Sequence, residues 1–157
     1  MSQIFQFLHL VTASLFLGCI VSSLALKFYA ESRKDILGIV FALRAILFLD
    51  RLLTAPSAGL LTASGFCVVF LEDMSVLRER WLQLSIALWF ASAIAAVGYL
   101  IPSLRRLLIA AETGSEAGML DATYQAASRR WNVASAVLIV TPLIIISLAI
   151  AKPSFRW

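Results

Sequence analysis

The chain has 157 residues, 61% of them hydrophobic and only 14% charged, with a mean hydropathy of +0.92. Soluble domains carry roughly 25% charge, so a water-soluble globule is excluded, and the stretches outside the apolar runs leave no room for a separate soluble domain. The net charge of +4 does not point to nucleic acid, because the basic residues cluster beside the ends of apolar runs and form no single patch.

Four uncharged apolar runs carry the chain: residues 4–26, 52–71, 81–104 and 131–151, each at least 20 residues long. With a helical rise of about 1.5 Å per residue, such a run crosses the roughly 30 Å hydrocarbon core of a bilayer. Lipid offers the backbone no hydrogen-bond partner, so the spans must be helices. The expected fold is all-α: a four-transmembrane-helix bundle forming a single domain over residues 1–157, with amphipathic helical segments on the cytoplasmic side.

The first run contains no Lys or Arg before Lys27 and is longer than a signal-peptide core, so it reads as a retained span with its N-terminus outside. It holds the only histidine, His9, about five residues or roughly 7 Å below the outer end of its helix. A buried imidazole is suited to binding haem iron or copper through one nitrogen; the alternative is a neutral histidine bonded to a neighbouring helix. Gly18 and Ser22 form a small-residue notch on the same span.

Residues 27–51 carry Lys27, Arg33, Lys34, Arg44 and Arg51. Within them, residues 36–49 are apolar except for Arg44 and too short to cross. They either lie in the inner interface or extend the second span, with Pro56 as the natural bend. Arg44 and Arg51, seven apart, share a helix face. The segment LDRLLTAP at 49–56 sets Asp50 and Arg51 at the start of the second span. Charges there are costly unless paired, and Asp50 is expected to bond Arg129 or Arg130, pinning the two hairpins together.

On the second span Ala55, Gly59 and Ala63 form a small stripe, matched by Ala87, Ala91 and Ala95 on the third. Such stripes let backbones approach, so spans two and three are expected to pack directly. Cys67 falls at nearly the depth of His9 and is a candidate second ligand; Cys19 lies far deeper, which argues against a disulfide.

The third span is followed by Arg105 and Arg106, and a turn signal at 113–118 is expected to separate its extension from a short helix over 119–130. Arg129 and Arg130 then precede the fourth span, which Pro142 could break. The two connections at 27–51 and 105–130 hold nine Lys and Arg against four elsewhere, so both are expected inside and both termini outside. Trp81 and Trp157 would then sit at the outer interface, and Tyr29, Tyr99 and Trp131 near the inner one.

The strings FLHLVTASLFLG (7–18), LDRLLTAPSAGLLTASG (49–65), RRW (129–131) and AKP (151–153) resemble a family of predicted bacterial integral membrane proteins catalogued as domain of unknown function 2269. The layout is similar to copper-resistance D-type and HemJ-type four-helix membrane proteins, some of which bind haem. His9, Asp50, Arg51 and Pro56 are the matching polar or helix-breaking positions.

Three functions follow as expectations. The first is a non-catalytic accessory or assembly subunit, packing against other membrane subunits or copies of itself in a bacterial inner membrane. The second is a redox protein holding a metal or b-type haem on His9. The third is a small transporter or lipid-handling protein. No complete catalytic constellation is present in the sequence.

Overall fold

The computed structural model describes Ser2–Lys152. The chain folds as α1 (Ser2–Ser32), α2 (Ile36–Leu49), α3 (Ala55–Leu71), α4 (Arg80–Ala95), α5 (Ile101–Ala117) and α6 (Ala122–Ala151). A π-helical turn, Asp50–Thr54, joins α2 to α3, and another, Ala96–Leu100, joins α4 to α5. Each join is continuous, so the path consists of four long rods. This is a helical membrane protein: Ser2–Ser32, Arg80–Ala117 and Ala122–Ala151 are long and apolar enough to cross a bilayer. The fourth expected span, 52–71, falls on a π turn and on α3, which has 17 residues. Trp157 and Pro153, read from the sequence, lie outside the described residues.

Residues 36–49 extend the second rod. Asp35 caps α2, its carboxylate accepting from Leu37 N and Gly38 N at 3.2 Å. The rod passes through Pro56, which has no N–H to give and crowds the carbonyl four residues back. The chain answers upstream with the wider turn, in which Ala55 N bonds Asp50 O. Ile101 N bonds Ala96 O in the same way, one residue before Pro102. In both places the next residue is serine, and Ser57 and Ser103 each donate to the carbonyl that ends the π turn, of Thr54 and Leu100, at 2.9 Å.

The expected break at 113–118 falls at its last residue. α5 holds through Ala117 and stops at Gly118, whose φ of 73° is left-handed and suits glycine. Asp121 then caps α6, accepting from Tyr124 N at 2.7 Å. With both signals beyond residue 117, no separate helix precedes the fourth rod. Pro142 sits inside α6 without breaking it.

Packing differs from expectation too. α3 lies along α1, α4 along α6 and α2 along α5, while the backbones of α3 and α4 do not approach. The two small stripes are exposed: a Cβ on Gly59 would meet nothing within 4 Å, and Gly18 is equally open. The close contacts use serine and threonine instead, with Ser57 and Ser64 buried on α3, Thr12 on α1 and Ser85 on α4. These side chains are nearly as small as alanine. They satisfy their hydroxyls on their own helices, as Ser64 does on Leu61 O and Ser85 on Trp81 O.

The apolar core gathers at one end. Ile39, Leu43 and Ile46 of α2 pack with Leu104, Leu107 and Ala111 of α5, and with Ala30, Tyr124 and Trp131. Arg44 bonds Glu112 across this end at 2.7 Å. α2 turns Leu37, Phe41 and Phe48 outward beside Arg44, a pattern suited to the headgroup level of a bilayer. We refer to this as the packed end. At the other, open end the pair α1/α3 stands apart from the pair α4/α6.

Candidate functional site

Between the two pairs lies an apolar cleft of about 480 Å³, within the range of small-molecule sites. Its wall on α1 runs from Gln6 to Leu17, and on α4 from Trp81 to Phe90. By helical rise these stretches are about 16 and 14 Å long. Leu61 and Gly65 form the α3 wall, and Pro142 and Ile146 the α6 wall.

Trp89 closes the floor. Its indole N–H donates to Thr62 Oγ1 at 3.0 Å, and its ring meets Phe16 edge-on at 5.2 Å, so one side chain bridges α4 to both helices of the other pair. At the mouth, Gln6 donates to Glu72, and Lys152 lies over the Trp81 ring at 5.8 Å.

His9 sits one turn below Gln6. Its Nδ1 lies 3.1 Å from both Leu61 O and Ser64 Oγ. A carbonyl only accepts, so the proton is assigned to Nδ1 and Nε2 carries a bare lone pair. Nε2 has no hydrogen-bond partner among the described residues. The ring rests on Gly65, where a Cβ would come within 3.0 Å of His9 Cε1. Gly65 therefore makes room for the imidazole.

The other candidates from the sequence do not join this site. Leu61, Ser64 and Gly65 define the face of α3 beneath His9; Cys67 lies more than a quarter turn away from it and does not line the cleft. Asp50 accepts from Thr54 Oγ1 at 3.1 Å and forms no ion pair with Arg129 or Arg130, which are exposed. Arg51, Pro56 and Gly59 are exposed as well.

The pin expected of Asp50 is supplied by Lys27, which in the sequence marks only the inner end of the first span. Lys27 is 1% exposed, and its ammonium donates to Glu31 Oε1 at 2.7 Å, Ser128 Oγ at 2.6 Å and Asn132 Oδ1 at 2.8 Å. All three of its N–H donors are used. Ser128 and Tyr124 donate onward to Glu31 at 2.5 and 3.0 Å, and the Trp131 ring lies 5.2 Å from Nζ. This network locks α1 to α6 at the packed end. Its sequence signals are two four-residue spacings, Lys27 with Glu31 and Ser128 with Asn132.

Long apolar rods joined by hydroxyl-lined contacts define a helical integral membrane protein. The chain belongs to the family of predicted integral membrane proteins designated domain of unknown function 2269, matched over residues 3–153. Comparison with curated proteins and with solved structures gives no match.

Proposed function

We propose that this is a non-catalytic membrane protein that holds one lipid-like chain in the cleft at its open end. The observation that carries the reading is the cleft's shape: apolar, about 480 Å³, and about 16 Å deep along α1. That depth matches one leaflet, half of a hydrocarbon core about 30 Å thick. The buried charges lie elsewhere, paired at the packed end.

The orientation in this reading puts the packed end in the cytoplasm of a bacterial inner membrane and both termini outside, with the second rod as a fourth crossing. It is supported by charge: Arg33, Lys34, Arg105, Arg106, Arg129 and Arg130 flank the packed end, and Arg78, Arg80 and Lys152 the open one. An accessory role is compatible, since Gly18, Gly59 and Gly98 face open space where a partner helix can approach closely. In a chain lacking Cys19 and Cys67, Ser75→Cys should react with an impermeant thiol reagent outside intact cells and Glu116→Cys should not. The opposite labelling overturns the orientation.

A second reading gives the cleft to a b-type haem. Its support is the His9 tautomer, because a ring anchored through Nδ1–H presents Nε2 as a metal ligand does. One preparation tests both readings. After gentle detergent purification we expect about one retained lipid per chain and no haem absorption, with the lipid lost in Ala13→Trp, which fills the cleft. A Soret band that His9→Ala abolishes establishes the haem reading instead. Equal lipid retention by the wild type and Ala13→Trp overturns the first.

A further inference from the structure

Resting on the lipid-chain reading above, we infer that the cleft selects a lipid alcohol: a single-chain amphiphile whose hydroxyl donates to His9 Nε2. Three observations converge on that atom. Nδ1 faces Leu61 O at 3.1 Å, which fixes the proton there and leaves Nε2 as an acceptor only. His9 lines the cleft, and Nε2 has no hydrogen-bond partner among the described residues. The ring is also held in place, bonded to α3 on one side and seated on Gly65, where a Cβ would come within 3.0 Å.

The surroundings narrow the ligand further. Ser85 and Thr62, the hydroxyl residues in the wall, are already engaged, donating to Trp81 O and Ala58 O. Their protons are spent, so neither donates to an occupant, and Nε2 is an acceptor in the wall that no hydrogen bond occupies among the described residues. A carboxylate, phosphate or ester oxygen brings no proton to it, whereas a hydroxyl does. Its height is set as well: His9 is one turn, about 5 Å, below Gln6 at the mouth, so an occupant whose chain points to the floor at Trp89 brings its head-end hydroxyl to the level of Nε2.

The test uses two probes of equal chain length in nanodiscs of zwitterionic lipid: the monoglyceride of dibrominated stearic acid and its methyl ester, which lacks the hydroxyls. Trp81 and Trp89 line the cleft, so a brominated chain seated there quenches them; Trp131, buried at the packed end, supplies the unquenched baseline. The full chain carries Trp157→Phe to remove the remaining indole. We expect half-quenching by the monoglyceride at about a fivefold lower mole fraction than by the ester, as one hydrogen bond gives. His9→Phe should abolish the difference, and His9→Asn, which keeps an acceptor, should retain part of it. Equal quenching by both probes at low mole fraction overturns the inference and leaves the chain-binding reading standing. A preference that survives His9→Phe also overturns it. Quenching by neither probe overturns both. The wild-type comparison decides even if His9→Phe fails to fold.

Discussion

At the packed end the interior centres on Leu43, Ile46, Leu104 and Leu107, and the surface mixes Arg33, Arg105 and Arg129 with Leu37, Phe41 and Phe48; at the open end Thr12, Ser64 and Ser85 are buried beside Leu61 and Leu82, and the surface is Phe7, Phe70 and Ile150. The same four rods thus change along their length, from large apolar contacts and charged flanks to contacts richer in hydroxyls and an apolar surface. In the proposed orientation water reaches the packed end and drives apolar side chains inward there. In lipid that force is absent, and helices associate through small residues that let backbones approach. The packed end is therefore cohesive by itself. At the open end α1 packs on α3 and α4 on α6, with the cleft between the two pairs.

Breaking the packed end should have the larger effects. Lys27→Ala removes the cation of the α1–α6 lock and leaves Glu31 with the Ser128 and Tyr124 hydroxyls alone. A loss of about 3 kcal/mol in the stability of detergent-purified protein is expected, the low end for breaking a buried pair from one side, because Glu31 is 21% exposed and keeps two hydroxyl donors. Lys27→Met combined with Glu31→Gln should cost clearly less, and equal losses would mean that packing, not charge, dominates. Leu43→Ala, at a side chain with no exposure, should cost about 3 kcal/mol through the cavity it leaves. Its control, Leu60→Ala on the exposed face of α3, should stay within about 0.5 kcal/mol.

At the open end smaller changes sharpen the contrast. Gly65→Ala forces the His9 ring to shift and should cost about 1 kcal/mol, while lowering lipid retention several-fold. Unchanged retention would separate the ring's position from binding. Gly59→Leu should leave monomer stability within about 0.5 kcal/mol, because the new side chain enters open space. A chain that stays folded but loses co-purifying subunits would locate a partner at that face.

The apolar runs were readable because bilayer thickness sets a length that sequence can meet by composition alone. His9 was readable as a lone polar group in such a run. Which helices pair was not, because Ala55, Gly59 and Ala63 offer the same smallness as Ser57 and Ser64, and spacing does not say which face turns inward. The lock at Lys27 was hidden for another reason: its partners Ser128 and Asn132 lie 101 and 105 residues away. Asp50 looked unpaired only until Thr54, one turn on, is seen to satisfy it. Gly65 carried a signal in principle, a glycine within an apolar span, whose meaning needed His9 above it.

The two π turns bear on rotational phase. Each accommodates one residue more than an α-helix would over the same rise, so the rod beyond it is turned by roughly 100° relative to the rod before it. In the second rod this phase step lies between Leu43, which must face α5, and Gly65, which must face His9. In the third it lies between Trp89, which closes the cleft, and Leu107, which fills the core. Asp50–Thr54 and Ala96–Leu100 thus act as angular spacers that let one continuous helix present the correct side to two different neighbours. Removing one residue from either would leave both ends chemically intact and aim one of them the wrong way.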